Sequence, residues 1–280
     1  MNVVSLFNGM NTGRQALENV GIKVDKYYSS EIKPYAIELT QHHFPDTIQV
    51  GDVTKWREWD IDWSSIDLIL SGSPCQDLSA AGKRAGINGS KSSLFFVFVE
   101  ILEYIKSLNP KVLFLQENVG SASKLDVGIM SRALGVYPVR INSSLVTAQL
   151  RDRYYWSNIR TKETMFDVVT DIPQPTDRGI MFKDILTSGK VNVNKHVSLK
   201  MQNNRNKEPT QKYLLHRNDT TGMISLIQEN NKVRLANKIE LCRLQGFPDN
   251  YLDLLCYKKA GSLLGDGWTL PIIEHIFSFI

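Results

Sequence analysis

Residues 2–30 read NVVSLFNGMNTGRQALENVGIKVDKYYSS. The run over 3–7 is aliphatic and aromatic and stops at an Asn-Gly pair, which predicts a strand entering a turn. Residues 13–20 place Gly13, Ala16, Leu17 and Val20 at helical spacing, and residues 26–30 return to a strand pattern. Strand, helix, strand is the unit from which a parallel sheet covered by helices is built. Working outward, residues 68–71, 112–116 and 154–158 predict further strands, and residues 34–43 and 94–107 further helices. The fold expected is α/β, a doubly wound and mostly parallel sheet. Ligands of such sheets bind beyond the carboxyl ends of the strands. Residues 8–13, Glu31, residues 72–76, Glu117 and Asn118 all fall at those ends.

The chain has 280 residues, 42% of them hydrophobic and 22% charged, a globular balance that excludes wholesale disorder and coiled coil. The regular alternation covers residues 1–160, the expected sheet domain. Residues 161–232 are polar and turn-rich, with Pro173, Pro175 and Pro209, and read as a small second domain. Periodicity returns over 233–280, where residues 234–244 and 270–280 predict helices, the first ended by Gly246 and Pro248. The longest apolar stretch, residues 94–105, is broken by Glu100 and Glu103 and is too short to span a bilayer. With no secretory signal at its start, the chain is expected in the cytoplasm. Cys75, Cys242 and Cys256 show neither disulfide nor zinc spacing, so each thiol needs its own account. The net charge of +4 is matched by residues 191–221 alone, where six Lys and Arg oppose Glu208 and Asp219. Lys195, Lys200 and Arg205 lie there among asparagines and glutamines, side chains that reach phosphates and base edges.

Cys75 follows Pro74 in SGSPCQDLS, a turn-forming segment directly after the predicted strand 68–71. Gly82, Gly86 and Gly89 then supply hinge positions in a stretch long enough to form a lid. A cysteine is more often a small buried hydrophobe than a nucleophile, and this turn context reverses that balance. Glu117 ends the strand VLFLQ and brings a carboxyl group to the same rim. Arg151 and Arg153 alternate in QLRDRYYW, so on a strand both would face one side and suit an electron-rich or anionic substrate.

SLFNGMNTG, SSEIKPYA, GDVT, SGSPCQDLS, ENVGS, QLRDR, ELCRLQGFPDNY and LLGDGWTLP occur in the order of the motifs of cytosine-5 DNA methyltransferases, and the resemblance runs over nearly the whole chain. The wording is similar to that of the animal de novo branch, and bacterial and phage enzymes share the core motifs. The resemblance implies a Rossmann-like class I methyltransferase with a small target-recognition domain at 161–232. It also implies S-adenosylmethionine as cofactor, S-adenosylhomocysteine as product, no metal, and double-stranded DNA as partner. Cys75 matches the nucleophile that adds to carbon 6 of cytosine, Glu117 the group that engages N3 and the exocyclic amine, and Arg153 the arginine near O2. Arg151 supports that site, and Gln149 completes the motif. The need for such groups is chemical: carbon 5 becomes nucleophilic only after a thiolate adds next to it, and the negative charge displaced onto the ring must be met where it develops.

By the same matching, Phe7, Gly9, Gly13, Glu31, Asp52, Pro74 and Trp268 are cofactor residues. Glu31 would accept the ribose hydroxyls, Asp52 the adenine amino group, and Gly267 and Trp268 would close the methionine end. Ser5, Ile32 and the GDGW wording of the last motif depart from many bacterial members. DNA contacts are expected from Gln76, Ser79, Lys83, Lys195, Lys200 and Arg205, with Ala81 as the wedge that replaces the extruded base. A tRNA cytosine-5 methyltransferase and a DNA-binding regulator without turnover are the competing readings. A nicotinamide dehydrogenase is disfavoured, because Asn8 stands where its glycine fingerprint begins.

Overall fold

The computed structural model describes residues 1–74, 94–191, 195–199 and 226–280, which cluster into two compact units. The first comprises residues 1–141, 152–174 and 273–280, and the second residues 142–151 and 175–272. The divisions expected at 160 and 232 thus differ from these bounds. Residues 161–174 group with the sheet, and residues 233–272 with the second unit. Among the described residues no helix is long and apolar enough to cross a membrane.

The first unit holds a seven-stranded sheet in the order β3-β2-β1-β4-β5-β7-β6. Its strands are β1 (Asn2–Leu6), β2 (Lys26–Ser30), β3 (Ile48–Gln49), β4 (Leu68–Ser71), β5 (Leu113–Val119), β6 (Val139–Asn142) and β7 (Asp152–Ser157). The first five run parallel, with β1 between β2 and β4 in the register Val3↔Tyr27 and Val3↔Leu68. Burial on both faces explains why β1 and β4 read as nearly continuous apolar runs rather than alternating ones. One face carries Val4, Leu6, Tyr28, Ile69 and Phe114 and packs with the helix α3 (Leu94–Leu108), whose Phe95, Phe98, Leu102 and Ile105 recur at helical spacing. On the opposite face the helix α1 (Thr12–Asn19) comes close to β4. A Cβ at Gly13 would lie 2.4 Å from Leu70 Cδ1 and 3.0 Å from the Tyr27 hydroxyl, so glycine permits this approach. A second parallel-strand crossover uses α2 (Pro34–His43), which starts on its proline as helices often do.

The sequence placed the fifth strand at 112–116, with Glu117 and Asn118 beyond it; β5 in fact runs to Val119. The reason is tertiary: β7 pairs antiparallel with the carboxyl half of β5, in the register Glu117↔Tyr155 and Val119↔Arg153, and extends it. Gly120 follows at once, donating its N–H to the carbonyl oxygen of Asp152 at 3.0 Å. A Cβ at Gly120 would stand 2.6 to 2.9 Å from Asp152 Oδ2, Cγ and O, with the Asp152 carboxylate itself held by Arg140. The strand expected at 154–158 begins at Asp152 for the same reason. After β5 come α4 (Lys124–Leu134), capped by Ser123, and a hairpin of β8 (Thr161–Glu163) and β9 (Val168–Thr170). These three lacked a strong periodic signal in the sequence.

In the second unit, β10 (Ile227–Glu229) and β11 (Lys232–Arg234) form a hairpin, followed by α5 (Lys238–Leu244) and α6 (Tyr257–Asp266). The sequence started a helix at Arg234, but Arg234 ends a strand. The helix start is set by a capping box: the Asn237 side chain accepts from the Glu240 N–H, and the Glu240 carboxylate accepts from the Asn237 N–H. Glu240 is wholly buried and also accepts from Arg234 and Thr187, so its charge is met on both oxygens. The last helix, α7 (Leu270–Phe277), carries the chain back into the first unit. There Glu274 bonds the Asn19 side chain and His275 Nε2 bonds the Pro173 carbonyl at 2.8 Å.

Replacing Gly120 by alanine forces a Cβ into the backbone of Asp152 at the head of β7. The substitution is expected to destabilise the sheet by about 1–3 kcal/mol, read as a lower denaturation midpoint in urea with an unchanged slope.

Candidate active site

Three residues near the end of β1 have a left-handed backbone: Phe7 at φ +56°, Gly9 at +59° and Asn11 at +63°. This is uncommon outside glycine, and it folds residues 7–11 into a tight loop above the sheet. The Asn8 N–H donates to the Ser30 carbonyl at 3.1 Å, and the Gly9 N–H donates to Glu31 Oε2 at 2.8 Å. Glu31 Oε1 accepts from the N–H groups of Ile32 and Lys33 at 2.8 and 2.9 Å. Three amides therefore fix the Glu31 carboxylate against the loop that holds Phe7 and Gly9. Among the described residues only the Phe7 carbonyl, at 3.8 Å, lies near where a Gly9 Cβ would stand, which leaves this backbone open to approach from them. Gly13 differs: the space beside it is filled by Leu70 and Tyr27, and its role here is packing of α1 on the sheet.

At the end of β2, Ser30 Oγ donates to the Gly51 carbonyl at 2.7 Å, which ties the strand to the segment carrying Asp52. Asp52 is exposed and caps the short helix Val53–Glu58, Oδ1 accepting from both the N–H and the hydroxyl of Thr54 at 2.9 Å. Those two bonds, the amide first, hold its carboxyl below the usual value. Phe7, Gly9, Glu31 and Asp52 thus all belong to the first unit, at the carboxyl ends of β1 and β2 and the segment that follows β3.

Ser73 and Pro74 leave β4 beside the end of β5. Ser73 is buried, and its Oγ accepts from Gln116 Nε2 at 3.0 Å and from Asn118 Nδ2 at 3.4 Å. Between those two residues stands Glu117, whose Oε1 lies 2.6 Å from Arg153 Nε on the neighbouring strand β7. Their side chains are only 10% and 17% exposed, so the pair is largely withdrawn from water. The structure therefore brings together two of the residues the sequence singled out for chemistry. Cys75, Gln76, Ser79, Ala81, Lys83, Lys200 and Arg205 lie outside the described residues.

Arg151 precedes β7, so the two arginines do not share a strand as their spacing predicted. Its guanidinium lies within the second unit and donates to the carbonyls of Gly265, at 3.2 and 3.3 Å, and of Gly267, at 2.7 Å. Gln149 is buried in the same unit and donates to Gln245 Oε1 at 3.0 Å, while its own Oε1 accepts from the Thr269 hydroxyl. Gln245 Nε2 in turn donates to the carbonyls of Gly267 and Trp268, and Ser143 bonds Thr269 at 2.7 Å. The GDGWTLP segment around the buried Trp268 is thereby held by side chains from distant parts of the sequence. Sequence reading missed Ser143, Gln245 and Thr269; a glutamine amid the apolar positions of a helix end was the available signal. Lys195 is half-buried and its carbonyl accepts from the Phe182 N–H at 3.2 Å. Of the described thiols, Cys242 is buried and pushed up to about 11 by desolvation. Cys256 is exposed at the head of α6, and the Lys259 N–H holds it below the usual thiol value.

Residues 1–134, which hold the β1 loop, Glu31, Asp52 and the β4–β5 rim, match the family model of the C-5 cytosine-specific DNA methylase. The chain belongs to that family. It is 32% identical over 202 residues to the orphan methyltransferase M.SPRI of Bacillus phage SPR, a match covering 68% of this chain and 43% of the phage protein. It is 29% identical to the type II methyltransferase M1.ScrFI of Lactococcus lactis subsp. cremoris, over 98% of this chain and 76% of that one. The chain thus spans less than half the length of the phage relative. Its fold is that of the solved Entamoeba histolytica methyltransferase EhMeth, with a TM-score of 0.66 at 17% identity over 100% of this chain and 97% of that one. The mostly parallel, doubly wound sheet expected from the sequence is the one observed.

Asp52→Ala removes a helix cap and is expected to cost about 1 kcal/mol of stability at neutral pH. Because folding lowers this carboxyl's pKa, its contribution is complete above the ordinary value of 3.8 and is lost as the pH falls below it. Urea denaturation should accordingly show the gap between variant and native chain closing on acidification. A gap that persists at low pH would argue against the cap.

Proposed function

We propose that the chain is an S-adenosylmethionine-dependent DNA (cytosine-5)-methyltransferase that acts on a cytosine extruded from double-stranded DNA, with Cys75 as nucleophile. The observation that carries this reading is the Glu117–Arg153 pair at the ends of β5 and β7. It lies next to the anchored Ser73, two residues before Cys75 in the sequence. A carboxyl and a guanidinium side by side suit a ring that must be held by N3 and its exocyclic amine on one edge and by O2 on the next. Their seclusion from water strengthens the effect of the guanidinium on charge that develops there.

The residues present fit the cofactor. Gly9 offers open backbone, and Glu31 offers a carboxylate oriented by three amides, the acceptor a ribose diol requires. Phe7, half-buried against the core, and Asp52 would serve the adenosine end, with Pro74 and Trp268 assigned by motif. S-adenosylmethionine would supply an electrophilic methyl group, which no amino-acid side chain provides. The chain's own part is to make carbon 5 reactive. The Cys75 thiolate adds to carbon 6, forming an S–C bond while an electron pair moves towards N3 and O2; a proton from the Glu117 carboxyl meets it at N3 and the Arg153 guanidinium meets it at O2. Once carbon 5 is methylated, loss of its proton to a base and cleavage of the S–C bond return the thiolate, and the N3 proton goes back to Glu117. Arg151, in the second unit, supports the last motif by holding the backbone on both sides of Asp266. The basic residues Lys195, Lys200 and Arg205 would contact phosphates, making binding fall steeply with salt.

Expression of the chain in a host lacking cytosine methylation, followed by bisulfite sequencing, should reveal methylated cytosines in a fixed sequence context. Cys75→Ser should reduce methylation to background and abolish the covalent adduct with 5-fluorocytosine duplex. Glu117→Gln should slow transfer by about 10²- to 10⁴-fold. Labelled methyl appearing in tRNA and not in duplex DNA, or undiminished methylation by Cys75→Ser, would overturn the proposal.

A further inference from the structure

Gln116 interrupts the apolar strand β5 and is wholly buried. Its Nε2 donates in two directions, to Ser73 Oγ at 3.0 Å and to the Glu117 carbonyl at 2.7 Å. A carbonyl can only accept, so this contact fixes which end of the amide is the nitrogen. The other end, Oε1, is buried and has no hydrogen-bond partner among the described residues. The same holds for Oγ of Ser71, which lies opposite Gln116 in the β4–β5 register. An orphaned buried acceptor lowers stability, and a methionine or leucine would fill a strand interior without one. Core stability therefore does not account for a glutamine at this position.

Its placement does. One amide bridges the turn that leaves β4 and the residue that bears the site carboxyl. Asn118, on the far side of Glu117, donates to the same Ser73 hydroxyl. We infer that Gln116 is a positioning residue: by joining Ser73 to Glu117 it sets the spacing between the segment leading to Cys75 and the carboxyl that meets the same ring. The inference rests on the function proposed above. It assigns Gln116 no contact with substrate or cofactor, and it makes the glutamine a sacrifice of stability for geometry.

Gln116→Met keeps the length of the side chain and removes the amide. Calorimetry should give an unchanged or higher Tm and an affinity for S-adenosylhomocysteine within about twofold of the native value, since neither depends on the bridge. Single-turnover transfer of labelled methyl to duplex DNA should slow by about 10- to 100-fold. Ser73→Ala should reproduce that loss, and the double variant should be no slower than either single one. Iodoacetamide labelling of Cys75, mapped by peptide and normalised to the exposed Cys256, should change by about threefold or more in Gln116→Met. Unchanged transfer overturns the inference, as does a loss of transfer that follows a matching loss of Tm, which is what a purely structural residue would give. Should the native chain transfer no methyl at all, the proposed function falls. The labelling ratio then decides alone, and an unchanged ratio overturns the positioning role.

Discussion

Antiparallel pairing of β7 with the carboxyl half of β5 is the constraint from which the candidate site follows. The other neighbour of β5, β4, runs parallel and stops at Ser71, so it cannot extend β5 to Val119. The returning strand does, and its register sets Arg153 opposite Val119, within reach of Glu117 two positions earlier. Two features protect the register. Gly120 lets the head of β7 lie against the backbone, and Arg140 holds the Asp152 carboxylate that would otherwise face the same crowded turn. An ion pair this secluded is a poor source of net stability, because each charge has lost most of its water. Its value lies in placing a positive charge beside a carboxyl at a fixed spot.

The fold was legible in the sequence wherever burial on both faces wrote an apolar run. Residues 3–7, 26–30 and 68–71 were read to within a residue or two of β1, β2 and β4, because parallel strands between helices need little alternation. The ends of β5 and β7 were not legible, since they depend on each other. Short and exposed elements escaped for the same reason: β8 has no buried residue, and β6 has one. Arg234 misled because a charged residue can open a helix or close a strand, and the capping box three residues later decided the matter.

For the site, motif order pointed to Glu117, Arg153, Glu31, Gly9 and Phe7, and the structure gathers them in the first unit. What the motifs left out is how these side chains are held. The three amides on Glu31 come from backbone that no residue type announces. Ser143, Gln149, Gln245 and Thr269 form a chain of buried polar groups in which every link crosses a long stretch of sequence. Spacing rules see neighbours within a turn or a strand, so such partners stay hidden until the fold brings them together. Arg151 is a further case. Its motif position implied a supporting role without showing what it holds, and its guanidinium donates to the carbonyls of Gly265 and Gly267.

The order in which the first unit is completed follows from its composition. Residues 273–280 pack into the unit that also contains β1, with Glu274 on Asn19, His275 on Pro173 and Phe279 under Arg160. During synthesis the parallel strands emerge early, yet the segment that finishes their unit leaves the ribosome only after all of the second unit has been made. Until that segment emerges, a nascent chain lacks the partners of Asn19, Pro173 and Arg160, and the contact of Asn19 with Glu274 closes over 255 positions, the kind of non-local pairing that slows folding.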